Sequence, residues 1–147
     1  WVDGRAYLRF EGSAATLDDV ERRVGGEPVP HAREFWTGLR EQTHEFFAGD
    51  QPLWRCTLPP LAPPLALDGA PLIEWNGRQR WYRGAFGSAA FDAAAGAGGH
   101  ATAFRRATGA ADAFTPLPAP LLRLHRALRH EFDPAGILNA GRMYADL

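Results

Sequence analysis

Residues 71–83 read PLIEWNGRQRWYR, and this stretch decides the fold class. Its centre, Asn76-Gly77, is a preferred dipeptide of the two-residue type I′ hairpin turn, which needs a positive φ at both positions. In the register that this turn sets, Leu72 lies opposite Trp81, and apolar pairs of this kind stabilise a hairpin. The stretch therefore predicts two antiparallel strands joined by a tight turn.

Three more segments predict strands on either side of the hairpin. The segments RAYLRFE at 5–11 and LWRCTL at 53–58 alternate between apolar and polar residues, as half-buried strands do. HATAFR at 100–105 predicts a further strand. In the segment at 53–58, the face that carries Trp54, Cys56 and Leu58 is expected to be buried.

Apolar residues at helical spacing predict four helices between and after these strands. The first begins with Thr16 as its N-cap and ends at Gly25-Gly26. The others are expected over residues 31–47, over the alanine-rich residues 88–97 and over residues 120–132. The last of them has an apolar face: Leu121, Leu124, Leu128 and Phe132.

The order of these elements predicts the fold class. It runs strand, helix, helix, strand, hairpin, helix, strand, helix and tail. This order favours an α+β domain, in which a mostly antiparallel sheet carries helices on one face, and the best match is a ferredoxin-like topology. The 147 residues suit one such domain with a C-terminal helix and a short tail.

The composition argues against several classes of function. The formal net charge is −1, so electrostatics gives no reason to expect nucleic acid or an anionic membrane as a partner. No apolar run reaches the roughly 18 residues that a transmembrane helix needs. Cys56 is the single cysteine, so no intrachain disulfide can form and a reducing compartment is expected. The chain begins at Trp1 rather than Met, which we interpret as the mark of a piece of a longer protein.

Catalytic and metal-binding motifs are few. The sequence has no GxSxG nucleophile elbow and no Walker loop. The GAGG stretch at 96–99 follows a predicted helix and precedes a strand, whereas a phosphate-binding loop has the reverse order, so we interpret it as a helix stop. The five histidines have no zinc-site spacing, and no metal site is predicted. Cys56 is expected to be a buried structural thiol.

One histidine and several arginines remain as candidate site residues. His100 begins a predicted strand directly after two glycines, where a backbone can approach a ligand closely. Four arginines lie on predicted strand or hairpin positions: Arg55, Arg78, Arg80 and Arg105. A guanidinium can hold a carboxylate through two charge-assisted hydrogen bonds. The alternative is that all of these are solvated charges on the exposed face of a sheet, and the pattern leaves both interpretations open.

The C-terminal stretch FDPAGILNAGRMY, at 132–144, resembles the terminal motif of the FAD-linked oxidase family, which has the vanillyl-alcohol oxidase/PCMH fold. Asn139, Gly141 and Arg142 fit the common form of that motif, and Ala140 stands where the family usually has proline. Five stretches in order are similar to the FAD-binding E subunits of bacterial glycolate oxidases: DGRAYLRFEGS, FWTGLRE, PLWRCTLPP, LIEWNGRQRW and GGHATAFR. The resemblance covers nearly the whole chain.

This resemblance implies a division of the chain and a reaction. Residues 1–131 would form the cap, or substrate, domain, and residues 132–147 would be a return segment that packs on a FAD-binding domain outside this chain. The implied reaction is oxidation of a 2-hydroxy acid, glycolate to glyoxylate, with hydride transfer to FAD. The FAD would be bound mainly by an upstream domain, so this fragment alone is expected to be inactive.

The resemblance also assigns candidate roles to single residues. His100 is the candidate base or substrate contact, and Arg80 and Arg105 are the candidate substrate-binding residues. Three residues of the tail are candidates for contact with the cofactor: Asn139, Gly141 and Arg142.

The implied partners are the flavin D subunit and the iron–sulfur subunit of a glycolate oxidase complex, located in the cytoplasm or peripherally at the inner membrane through that complex. Two alternatives stay open. The chain could be a non-catalytic interaction module that holds a partner subunit, or it could be the cap of a related 2-hydroxy-acid or sugar-lactone oxidase.

Overall fold

The structure is a computed structural model, and it describes residues 1–106, 108–109, 113–145 and 147. These residues divide into two compact units, Trp1–Asp50 and Gln51–Leu147. The division predicted at residues 131 and 132 concerns function and remains a prediction.

The first unit contains two helices, α1 (Ala14–Val24) and α2 (Ala32–Arg40). Ser13 caps α1, because its hydroxyl accepts the Thr16 backbone N–H at 3.3 Å. The prediction that Thr16 is the cap is therefore wrong by three residues, while the predicted end at Gly25 is confirmed.

The prediction of one helix over 31–47 is wrong in its second half. The Gly38 carbonyl accepts the N–H groups of both Thr43 and His44, at 2.8 and 3.1 Å, which closes α2 with a turn. A short 3-10 helix, Glu45–Phe47, follows.

The strand predicted at 5–11 does not form. In this region of the described chain, the pairing is limited to an isolated bridge between Val2 and Arg5. Leu8 and Phe10 are exposed, so the alternating pattern is present without a neighbouring strand to pair with. Alternation is necessary for a half-buried strand, but only a partner's hydrogen bonds make one.

The second unit is built on an antiparallel sheet of four strands within the described residues. In spatial order the strands are β2 (Leu72–Glu74), β3 (Gln79–Arg83), β1 (Leu53–Thr57) and β4 (His100–Arg105). Helix α3 (Ser88–Gly96) connects β3 to β4, and α4 (Ala119–Phe132) follows β4. The α+β class is confirmed, and the strand order is consistent with a ferredoxin-like cap. Residues 58–71, which we call the proline-rich link, stand in place of the first crossover helix.

The hairpin has the predicted register and a wider turn than predicted. Leu72 pairs with Trp81, as the sequence indicates, but the strands end at Glu74 and Gln79. Trp75 adopts a φ of 52°, a left-handed value that a strand residue cannot have, so it joins Asn76 in the turn. The predicted two-residue loop is therefore a four-residue loop.

Helix α3 covers one face of the sheet, which we call the helix-covered face. Cys56, at 0% exposure, and Trp54 point from β1 into this core, where they meet Phe91 and Ala94 of α3. The predicted buried face of this strand is confirmed. Because side chains alternate along a strand, Arg55 and its cross-strand neighbours lie on the opposite side, which we call the second face.

Candidate functional site

Two rows of cross-strand neighbours form the middle of the second face. The first row is Leu72, Trp81, Arg55 and Thr102, and the second is Glu74, Gln79, Thr57 and His100. Leu72 and Trp81 are buried, and their burial anchors the apolar side of the face. The polar groups of β1 and β4 lie on its other side, so the face combines a rigid apolar base with a polar edge.

His100 lies at the polar edge and is exposed. It pairs with Thr57, while Arg55 pairs with Thr102, so His100 and Arg55 are diagonal neighbours on the sheet. The Cα atoms of such neighbours are about 7–8 Å apart. The structure therefore brings the predicted catalytic histidine to the same patch as an arginine.

Gly99 allows the backbone to enter β4 at this point. A Cβ atom added there would lie 3.0 Å from the Cα atom of Leu58, and closer still to the carbonyl oxygen of Thr57. This overlap is with backbone, which no rotamer change can relieve. Gly99 thus allows close approach of β4 to β1, whereas the sequence suggested close approach of the backbone to a ligand, which remains a prediction.

Arg55 is half-buried in the middle of the second face. Its guanidinium carbon lies 5.9 Å from the centroid of the Phe104 ring, a distance at which a cation and an aromatic face attract each other. Within the described residues, its side-chain nitrogens have no hydrogen-bond or ion-pair partner. Phe104 in turn packs edge-on against Trp81, with ring centroids 5.1 Å apart.

Glu74 holds Trp81 in place from the other side. Its carboxylate accepts the indole N–H of Trp81 at 3.1 Å and the side-chain amide of Gln79 at 3.2 Å. Burial raises the pKa of Glu74, and the two hydrogen bonds partly oppose that rise. The sequence pattern did not indicate this residue, because its role depends on the cross-strand pairing with Gln79.

Arg80 lies on the helix-covered face, away from His100. It pairs with Cys56 and is only 6% exposed. Its guanidinium group donates to three backbone carbonyls: Gly77 at 3.2 Å, Pro63 at 2.6 Å, and Ala62. The geometry therefore gives Arg80 the role of joining the proline-rich link to the hairpin, and it cannot reach a ligand on the second face without breaking these bonds.

Arg105 lies at the end of β4, beside a register shift in its pairing with β1. It is half-buried, and one of its guanidinium nitrogens donates to the Gln51 carbonyl at 3.3 Å. Its pairing with Leu53 places it one row beyond Arg55. A role for Arg105 in substrate binding remains a prediction.

Two further observations restrict the chemistry of the second unit. Burial raises the pKa of the Cys56 thiol to about 11, although the charge of Arg80 lowers it, so this thiol is not a nucleophile at neutral pH. In the described part of the chain, no group of three histidine, cysteine or acidic side chains is placed to hold a metal ion.

The tail forms an ordered turn after α4. The Asp133 carboxylate accepts the backbone N–H groups of Ile137 and Leu138 at 3.1 and 2.9 Å. The hydrogen bond from Leu138, together with the weaker effects of Ile137 and Arg129, lowers the pKa of Asp133. The Asp of the FDPAGIL stretch thus organises the turn that the sequence indicated.

The three predicted cofactor residues lie together beyond this turn. Asn139 and Gly141 have positive φ values of 49° and 68°, and the Arg142 N–H donates to the Asn139 carbonyl at 3.2 Å. Arg142 is exposed. Apolar side chains on both sides of these residues are exposed as well, with Ile137 at 77% before them and Met143 at 58% after them.

A separate cavity of about 910 Å³ lies in the first unit, between residues 6–10, α1 and α2. Apolar side chains such as Leu17, Val20 and Trp36 form much of its wall. No histidine or cysteine of the described chain lines it, and its acidic lining residues are Glu21 and Glu27.

Comparison with known proteins identifies a relative. The chain is 41% identical, over 148 aligned residues, to the glycolate oxidase subunit GlcE of Escherichia coli (strain K12). The alignment covers all of this chain and 41% of the relative, so the chain spans about two fifths of that protein's length. No family model matches the chain, and no solved structure matches it. The predicted resemblance to a glycolate oxidase subunit is confirmed.

Among the helices that the structure describes, none combines the length and the hydropathy required to cross a membrane.

Proposed function

We propose that this chain is the cap portion of a FAD-linked oxidase subunit that converts a 2-hydroxy acid, glycolate, to glyoxylate. The observation that carries the proposal is the alignment of the whole chain with GlcE, a glycolate oxidase subunit. The second face supports it, because it places a histidine beside a guanidinium, and these groups suit the hydroxyl and the carboxylate of such a substrate.

The residues of the second face would divide the chemistry as follows. Oxidation of an alcohol removes a proton from the hydroxyl group and a hydride from the carbon. A neutral imidazole has a ring nitrogen that can accept a proton, so His100 can take the hydroxyl proton as a general base. FAD, when bound, supplies the hydride acceptor. The buried Trp81 would exclude water from the apolar side of the site.

The described residues of this chain can contact part of a FAD molecule, but they do not form a site for its pyrophosphate. The glycine-rich stretch at 96–99 follows α3 and precedes β4, and this order does not present a helix N-terminus to a pyrophosphate. The tail offers the exposed guanidinium of Arg142 and two backbone positions with positive φ, Asn139 and Gly141. We therefore propose that a domain outside this chain binds most of the FAD.

If another domain binds most of the FAD, the chain divides into two functional parts. Residues 1–131 would form the cap, and residues 132–147 would return to the FAD-binding domain. The exposure of Phe132, Ile137 and Leu138 supports it, because ordered apolar side chains at such a turn are suited to burial against another surface. The flavin D subunit and the iron–sulfur subunit of the complex are the proposed partners, in the cytoplasm or peripherally at the inner membrane.

A second candidate function is a non-catalytic interaction module. The apolar face of α4 favours it, because four side chains at helical spacing are exposed: Leu121, Leu124, Leu128 and Phe132. In this case the subunit would hold its partners together, and the chemistry would take place in another subunit.

A histidine substitution in the assembled oxidase separates the two functions. The full-length subunit, together with its partner subunits, would be assayed with glycolate and an artificial electron acceptor. His100→Ala should lower kcat by about 100-fold or more if His100 takes the hydroxyl proton. Unchanged turnover with intact assembly would remove His100 from the mechanism and favour the interaction module. The 147-residue chain itself should purify without flavin absorbance.

A further inference from the structure

We infer that Arg55, rather than Arg80 or Arg105, is the residue that binds the carboxylate of the substrate. The inference names a carboxylate-binding site in the middle of the second face, and it rests on the proposed function. Its basis is the environment of the Arg55 guanidinium compared with that of the other two arginines.

The guanidinium of Arg55 has donors that are open to solvent and that no group in the described part of the chain accepts. A guanidinium carries five N–H groups, and taking a charge partly out of water is costly unless it is paired. Arg55 is half-buried and has neither a hydrogen-bond acceptor nor an ion-pair partner in the described part of the chain. Arg80, by contrast, donates to three carbonyls, and Arg105 donates to the Gln51 carbonyl. An acceptor from outside the chain can therefore bind Arg55 without displacing a hydrogen bond within the protein.

A chain of side-chain contacts defines the position of Arg55. The Phe104 ring lies 5.9 Å from its guanidinium carbon, Trp81 packs against Phe104, and Glu74 fixes the Trp81 indole by a hydrogen bond of 3.1 Å. Each contact restricts the rotamers of the next side chain. A guanidinium held in advance loses less entropy on binding a ligand than a mobile one does.

The charged residues near Arg55 also bear on its ligand. Leu53 pairs with both Arg83 and Arg105, so two further arginines lie one row beyond Arg55. The carboxylate in the two rows of the second face, Glu74, already accepts two hydrogen bonds. Because Glu74 is already hydrogen-bonded, it does not compete for Arg55, and a carboxylate bound there would present both of its oxygens to the guanidinium fork.

The ligand must also be small. His100 is a diagonal neighbour of Arg55, so the two Cα atoms are about 7–8 Å apart. In a 2-hydroxy acid the carboxylate and the hydroxyl are on adjacent carbons, so both side chains can reach a single molecule. The hydroxyl groups of Thr57 and Thr102 lie on the same face and can donate to the remaining oxygens.

The test uses the full-length subunit assembled with its partners. Arg55→Gln removes the charge, and Arg55→Lys keeps the charge but not the planar fork. Arg78→Gln is the matched control, because Arg78 lies in the exposed hairpin loop outside the two rows. Three quantities would be measured for each variant: kcat and KM for glycolate, and, by calorimetry, the Kd of oxalate. Oxalate is a dicarboxylate with no C–H bond, so it can bind but cannot donate a hydride.

The expected effects follow from the strength of charge-assisted hydrogen bonds. Arg55→Gln should raise both the KM for glycolate and the Kd of oxalate by about 10- to 100-fold. Arg55→Lys should show a smaller increase, because the bidentate geometry is lost while the charge remains. Arg78→Gln should change neither quantity by more than about twofold. The melting temperature of each variant checks that it is folded.

The outcomes distinguish this inference from the proposed function. If the wild type oxidises glycolate and the Arg55 variants keep its KM and its oxalate Kd, the inference is overturned and the proposed function stands. If the wild type does not oxidise glycolate but binds oxalate through Arg55, the carboxylate site stands and the proposed function falls. If the wild type neither turns over glycolate nor binds oxalate, both are overturned.

Discussion

Replacing Gly99 by Ala should destabilise the second unit strongly, while replacing Gly96 by Ala should not. At Gly99 the new methyl group would lie 2.8 Å from the Leu58 Cδ2 atom, 3.0 Å from its Cα atom, and closer still to the Thr57 carbonyl oxygen. Ordinary carbon–oxygen contacts of this kind are about 3.3–3.6 Å. The start of β4 must therefore move away from β1, which breaks the pairing of Thr57 with His100.

The magnitude follows from this overlap. Overpacking in a well-packed region costs typically about 1–3 kcal/mol, and we expect the upper end because the obstacle is backbone on a central strand. For a unit of this size, each kcal/mol lowers the melting temperature by about 4–8 °C, so the fall should be about 10–20 °C. At Gly96, the last residue of α3, no atom lies within 4 Å of the added methyl group. There, alanine should add up to about 1 kcal/mol through its better helix propensity.

The two variants would be compared with the wild type by thermal and urea unfolding, followed by circular dichroism. The expected result is opposite signs of the change in unfolding free energy for two substitutions three residues apart. Equal effects, or a Gly99→Ala protein as stable as the wild type, would refute the close approach of β4 to β1. The Gly99 variant should also disturb the position of His100, so its turnover in the assembled oxidase should fall more than its folded fraction.

Four further predictions concern single side chains. Arg80→Gln should lower the unfolding free energy by about 2–4 kcal/mol in urea titrations, because buried carbonyls lose a charged donor. Because burial raises the pKa of Glu74, stability should fall as the pH rises from the usual value of about 4.3 through the raised one, and Glu74→Gln should flatten that fall. Cys56 should resist a thiol reagent at pH 8 in the native chain and react once the chain is unfolded in urea, since its pKa is about 11 and it is fully buried. Because hydrogen bonds lower the pKa of Asp133, its contribution should be lost only as the pH falls through that lowered value, and Asp133→Ala should speed amide exchange at Ile137 and Leu138 by up to about tenfold at neutral pH.

The sequence predicted the elements that have strong local patterns. Alternation identified β1, the Asn76-Gly77 dipeptide set the register of β2 on β3, and helical spacing located α3 and α4. It failed at residues 5–11, where the alternation is equally clear. Local pattern states which residues could share a face, whereas a strand exists only if another segment supplies its hydrogen bonds.

Of the candidate site, too, only one part could be predicted from the sequence. His100 could be identified from sequence, because a residue that follows two glycines at the start of a strand has a recognisable position. Choosing among the arginines could not be done locally. Arg55 and Arg80 both lie on strands beside aromatic residues, and nothing in their immediate neighbours distinguishes them.

What the sequence determined by itself, then, is the periodicity of each segment and the chemistry of each side chain. What only the tertiary structure decided is which face of the sheet α3 covers, and therefore which arginine is buried. Arg80 points to the covered face and finds three carbonyls, whereas Arg55 points to the other face and finds an aromatic ring but no acceptor. Those carbonyls come from the hairpin loop and from the proline-rich link, up to 18 residues away along the chain. Because their positions depend on how the whole sheet is assembled, no local pattern contains them.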